Sequence, residues 1–158
     1  MNVIILAVLS AFFLSLSFSS FSSVGGSACG GNLWLFAWCA FVPLFIALEK
    51  KSLLRSFFIS YLCGIIFWSL AVYWLIHVTL IGQIVLILYL AFYFGIFGCS
   101  IYLFRRRTES ALLFLAPCAW VLLEYLRSYL FTGFPWALLG FSQYKNLPVI
   151  QIADITGA

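Results

Sequence analysis

From Ser56 to Phe104 the chain carries no Lys, Arg, Asp or Glu. Nothing else in the sequence restricts the fold so tightly. An uncharged stretch of that length cannot cover itself in water. Its natural solvent is a bilayer, where every backbone N–H and C=O must be satisfied inside a helix or a closed barrel. The apolar runs are continuous and lack the polar/apolar alternation of barrel strands, so helices are expected. Composition agrees: 66% of the 158 residues are hydrophobic and 8% charged, against about 25% charged in a soluble domain. The expected fold class is all-α, a polytopic membrane helix bundle.

Five spans are expected, at Val3–Phe18, Leu33–Leu48, Leu54–Leu80, Gln83–Phe104 and Ala111–Phe131. A spanning helix needs about 20 mainly apolar residues, range about 17–25, so the first two stand near the short limit. Residues 132–158 read as an outer turn and the start of a partial sixth helix, within one helix-bundle domain. The first span lacks the positive n-region of a signal peptide and is expected to stay as an uncleaved helix.

Six of the eight Lys and Arg sit at two joins, Lys50, Lys51 and Arg55 after the second span and Arg105, Arg106 and Arg107 after the fourth. Basic loops stay on the cytoplasmic side. The N-terminus is therefore expected inside. The Ser19–Asn32 loop with Cys29, the turn near Gly82 and everything after Phe131 are expected outside. The net charge of +4 is a topology signal, and no aromatic-interleaved soluble surface accompanies it, so no nucleic-acid partner is expected. The five cysteines stand at no metal-ligand spacing and His77 is the only histidine. Neither a metal nor a cofactor is expected.

Two clusters at the outer surface are candidates for function. Tyr73, Trp74 and His77 share a face if the third span is helical to its end. They form either an interfacial aromatic belt or the lining of a headgroup site. Glu124 lies about 18 Å into the fifth span at 1.5 Å per residue, and Arg127 one turn higher. A charge at depth costs roughly 2.5–3.5 kcal/mol. The two residues are either a structural ion pair or the polar wall of a lipid cavity. After them Gly133 permits positive φ, and Pro135 pushes Phe134 out of the α region. Thr132, Phe134, Trp136 and Gln143 complete a turn at headgroup depth, where non-helical backbone needs cover from protein or water.

The stretch "PCAWVLLEYLRSYLFTGFPWALLGFSQYKNLPVIQIADITGA" resembles apolipoprotein N-acyltransferase. That family shows Trp, Glu, Leu-Arg, Thr-Gly-Phe-Pro-Trp and Gly-Tyr-Ser-Gln in this order. Here they are Trp120, Glu124, Leu126-Arg127, Thr132 to Trp136 and Gly140 to Gln143, with Phe141 in place of Tyr. Upstream, "GIIFWSLAVYWLIHVTLIG" looks like the family's third helix, and the Pro of "FVPLFIAL" also fits. The resemblance implies a multi-pass enzyme of the bacterial inner membrane, working in lipoprotein biosynthesis. Its acyl donor would be a phospholipid and its acceptor the N-terminal diacylglyceryl-cysteine of a lipoprotein, with membrane lipids around it. It also implies a Glu-Lys-Cys triad in a nitrilase-like periplasmic domain, where the Cys attacks as thiolate.

No residue of this chain is expected to belong to that triad. After Gln143 only Lys145 and Asp154 carry charge and no Cys follows. The 158 residues are expected to be the N-terminal membrane part of such an acyltransferase, inactive alone. The expected lipid-cavity rim comprises Tyr73, Trp74, His77, Glu124, Arg127, Thr132, Gly133, Phe134, Pro135, Trp136 and Gln143. Two other classes remain open: a small transporter or channel coupled through Glu124 and Arg127, and a structural membrane protein. The first is disfavoured by the lack of an internal repeat.

Overall fold

The structure, a computed structural model, describes residues 2–18, 35–107, 109–130, 133–143 and 146–151, with backbone only at 109–111, 147 and 150. The Ser19–Asn32 loop with Cys29, residue Thr132 and everything after residue 151 lie outside the described residues. Every regular element among them is helical. The helices are α1 (Val3–Ser17), α2 (Leu35–Cys39), α3 (Val42–Ala47), α4 (Leu53–Ala71), α5 (Leu80–Arg105), α6 (Glu109–Tyr129) and α7 (Leu147–Ile150). Two 3-10 segments, Tyr73–His77 and Leu139–Gln143, link them. Three helices, α4, α5 and α6 from Leu112, are long and apolar enough to cross a membrane.

Two expected spans differ in detail. The second is broken in two, because Pro43 sits at the start of α3. Proline has no N–H for the carbonyl four residues back and its ring clashes there. The chain therefore turns at Ala40–Phe41 and restarts. The carbonyl of Ala40, at the break, accepts the Ser10 hydroxyl of α1 at 2.6 Å. Such side-chain donors are how broken helices survive in lipid. The third span leaves the α-helix after Ala71 and tightens into the 3-10 segment before α5 begins.

α4 packs along α5, α1 lies on α4, and α6 lies on α5. Lipid tails are as apolar as leucine, so membrane helices associate by close packing of small residues. α4 supplies Ser56, Ser60, Cys63 and Gly64, all buried, and α5 supplies Ala91, Gly95 and Gly98. A Cβ on Gly98 would strike the Ser60 hydroxyl and come within 2.6 Å of the Ser56 carbonyl. One on Gly64 would lie 2.8 Å from Phe94. The opposite face of α5 exposes Leu88, Phe92 and Ile96, spaced by one helical turn. Large exposed apolar surfaces of this kind do not persist in water, and this row is the lipid-facing side of a membrane protein.

The bundle has two unlike ends. At one, Arg105 donates through Nη2 to the Phe45 carbonyl at 2.8 Å, joining the end of α5 to the end of α3. Lys50 and Lys51 share a groove there with Val3 and Leu6, so α1 starts at this basic end. At the other end the Tyr73–His77 segment meets the chain that leaves α6, with the Trp74 and Trp136 ring centroids 5.6 Å apart.

Candidate functional site

The polar heart of the molecule lies between α4, α5 and α6, near the end opposite the basic residues. Trp68 and Arg127 are almost wholly enclosed there, at 1% and 4% exposure. The Arg127 guanidinium carbon stands 4.8 Å from the centre of the Trp68 ring. Such a cation–π contact is worth about 2 kcal/mol when desolvated. Trp120 packs edge-on against Phe94 and Phe97, each with ring centroids 5.0 Å apart. Tyr89 and Tyr93 share a hydroxyl hydrogen bond of 2.7 Å on the α5 side. The space enclosed by Trp68, Tyr93, Trp120, Glu124 and Arg127 is about 10 Å³, roughly what one water requires.

Glu124 and Arg127 sit three residues apart on α6 and act on each other electrostatically, but neither Nε nor Nη2 of Arg127 is hydrogen-bonded to the carboxylate. The carboxylate also reaches the strap. Its Oε1 accepts the Leu139 backbone N–H at 2.8 Å. That bond holds residues 133–143, here called the strap, against the helix they have just left. The strap begins where Gly133 takes φ +69°, with its N–H on the Leu130 carbonyl at 3.0 Å. A Cβ at Gly133 would lie 2.5 Å from the Ser128 carbonyl, so glycine is required on both conformational and steric grounds. The Phe134 N–H donates to the Arg127 carbonyl at 3.0 Å, and the Phe134 ring closes edge-on over Trp68 at 5.8 Å. Further on, Ser142 bonds the Leu139 carbonyl, and Gln143 accepts the Trp38 indole N–H at 3.2 Å.

The residues expected to form a site thus divide into groups. Glu124, Arg127, Gly133 and Phe134 come together around Trp68. Trp74 and Trp136 stack outside them. Tyr73 and His77 touch each other, with ring centroids 6.1 Å apart, and both are exposed at the end of the bundle. Pro135 is exposed and Gln143 half-buried, tied to α2 through Trp38. Thr132 falls outside the described residues. Sequence reasoning did not single out Trp68. The signal was present, because Ser56, Ser60, Gly64 and Trp68 recur every fourth residue and so continue one helical stripe. Among the described residues no group of His, Cys, Asp and Glu could hold a metal.

Residues 10–158 match the family model described as the apolipoprotein N-acyltransferase N-terminal domain. The apolipoprotein N-acyltransferase of Geobacter metallireducens is 39% identical over 97% of this chain and 29% of its own length. That of Vibrio cholerae is 32% identical over 80% of this chain and 27% of its own. A shorter stretch, 44% of this chain, is 46% identical to 14% of the Coxiella burnetii protein of the same name. The chain therefore spans less than a third of the length of these relatives. A match over nearly every residue places the chain, as an N-terminal domain, in the apolipoprotein N-acyltransferase family.

Proposed function

We propose that these 158 residues form the membrane part of an enzyme that moves a fatty acyl chain from a phospholipid to the diacylglyceryl-cysteine of a lipoprotein. The observation that carries this reading is the family domain itself, which covers residues 10–158; the Glu124, Arg127 and Gly133–Trp136 arrangement supports it. Phospholipid and diacylglyceryl-lipoprotein are the substrates, and the bacterial inner membrane is the site of action. The end bearing the strap faces the periplasm and the basic end the cytoplasm, as basic loops require. Tyr73, Trp74, His77, Glu124, Arg127 and the Thr132–Trp136 turn with Gln143 make the rim where a donor headgroup rests. The domain supplies the lipid-facing bundle and this rim. No cysteine of the domain is assigned as the nucleophile, and the 158 residues alone are expected to form no acyl-enzyme.

A chimera tests the assignment. The matching region of the Geobacter relative is replaced by this chain, and a diacylglyceryl peptide is followed by mass spectrometry. N-acylation is expected. A chimera that inserts in the membrane but leaves the peptide diacylated would refute the reading. Labelled phospholipid incubated with the 158 residues alone should leave no thioester on any Cys. The orientation has its own check: Cys29 should react with an impermeant thiol reagent added from the periplasmic side. Reaction only after the inner membrane is opened would reverse the topology.

A further inference from the structure

Four buried donor atoms of residues lining the cavity below the strap complete no hydrogen bond: Nε1 of Trp68, Nε1 of Trp120, and Nε and Nη2 of Arg127. The Trp120 indole N–H lies within reach of the Glu124 carboxylate, which takes part of its hydrogen-bonding capacity without a well-formed bond. Glu124 is occupied by the strap through the Leu139 N–H. Buried donors in folded proteins almost always have partners, and exceptions mark sites. The set also carries the Arg127 charge, which the Glu124 carboxylate offsets only from beyond ion-pair distance. A water accepts two hydrogen bonds and has no charge to offer. An oxyanion has the lone pairs and the charge, and a guanidinium fork matches its edge.

We propose that Arg127, Trp68 and Trp120 bind a phosphate group, that of a phospholipid headgroup, and that the strap is the lid over it. The lipid as ligand rests on the proposed function above; the phosphate chemistry rests on the donor set alone. The cavity of about 10 Å³ admits one water and no phosphate, so the strap lifts for binding. Its hold is local. The Leu139–Glu124 bond is the latch, and Phe134 is the part that covers Trp68. Gly133 and Ala137, at φ +69° and +51°, bracket Phe134–Trp136 and are the hinges. A binding-competent state that is rarely populated lowers apparent affinity in proportion, so the latch sets affinity.

The test uses the purified chain in a phosphate-free maltoside detergent. A short-chain phosphatidylethanolamine, the matching diacylglycerol and inorganic phosphate are titrated in turn, followed by tryptophan fluorescence and by the ³¹P resonance where there is one. The phospholipid should bind and the diacylglycerol should bind at least tenfold more weakly. Trp68→Phe and Trp120→Phe keep a ring and delete one N–H each. Each should weaken phospholipid binding about fivefold, and Arg127→Gln should abolish it. Leu139→Pro deletes the latch N–H and should tighten binding about tenfold. Response to inorganic phosphate that the same variants lose would support the donor site and name free phosphate as its ligand. Equal affinity for diacylglycerol, or unchanged binding in both tryptophan variants, would overturn the phosphate site and leave the acyltransferase reading intact. Phospholipid that does not bind here, together with an inserted chimera that leaves the peptide diacylated, would sink both.

Discussion

The α4–α5 seam and the strap-covered end of α6 sit within one bundle but are built on opposite principles. In the seam, side chains are reduced to almost nothing: Ser56, Ser60 and Gly64 face Ala91, Gly95 and Gly98. Among the described residues, the only polar side-chain atoms left without partners there are the two serine hydroxyls, small and uncharged. Around α6 the reverse holds. A guanidinium, a carboxylate and two indole N–H groups are gathered inside the bundle, and several of their donor atoms complete no hydrogen bond. The seam maximises contact. The strap region retains polar groups that cost stability, and such groups persist where they serve binding.

The sharpest way to break the comparison is to crowd the seam. Gly98→Val places two methyl groups where even a Cβ collides with Ser60 and the Ser56 backbone. Helical backbone cannot yield locally, so α4 and α5 must separate. We expect a loss of about 3 kcal/mol, read by unfolding in detergent, or failure to obtain a monodisperse protein. The same substitution at Gly140, where a Cβ would have nothing within 4 Å, should cost less than about 1 kcal/mol. Equal effects at the two glycines would refute the seam as the place where the fold is held.

Next in size is the latch. Glu124→Ala leaves the Leu139 N–H without its acceptor and frees the strap. Charge-assisted bonds of this kind contribute about 1.5–3 kcal/mol, and a loss of about 2 kcal/mol is expected. The loss should be local: amide exchange should quicken at 139–143 while the α4–α5 amides stay protected. Uniform exchange across the bundle would show that Glu124 supports the helices and not the strap.

These contrasts also explain what the sequence could reveal. Uncharged runs and basic joins made the helical class and the two unlike ends legible, because both follow from solvation and need no tertiary contact. Helix ends were less legible. Nothing in "LAVYWLIH" compels an α-helix to tighten after Ala71, and nothing around Pro43 tells that Ser10 of another helix takes the Ala40 carbonyl at the break. The seam was written in plain spacing at Ser56, Ser60 and Gly64 but needed α5 as its partner to be recognised. The charge pair was legible only in part, since the two charges act on each other but each has its direct partner elsewhere. Residues three apart on a helix suggest an ion pair, whereas Glu124 binds a backbone N–H fifteen residues on and Arg127 stacks on a ring from another helix. Neither partner lies close in sequence.

Arg127 gives a change of opposite sign. Arg127 is a buried cation whose counter-charge, Glu124, stands beyond ion-pair distance, and an apolar residue of similar length removes the cost of burying it. Its cation–π contact with Trp68 offsets part of it. Arg127→Met should therefore stabilise the chain by about 1 kcal/mol in phospholipid-free detergent. The gain should disappear when phospholipid is added, since only the wild-type chain binds it. A destabilised methionine variant in both conditions would make Arg127 a structural residue like those of the seam.

The smallest effect concerns Ala137. Its φ of +51° is one that L-residues adopt at a cost of roughly 1–2 kcal/mol. Glycine would relieve that strain in the folded chain. It would also widen the range of the unfolded chain, which works against stability by about 0.4–1 kcal/mol. The two terms have opposite signs and nearly cancel, so Ala137→Gly should raise stability by only about 0.5 kcal/mol. Its use lies in separating strain from latch. With the latch intact, a relaxed hinge favours the closed strap, so phospholipid binding should weaken about twofold while the melting temperature rises slightly. In a Leu139→Pro background the strap is already free, and the same substitution should leave binding unchanged. A hinge effect of equal size in both backgrounds would mean that Ala137 acts on the pocket directly, and that strain at this position has no part in holding the lid.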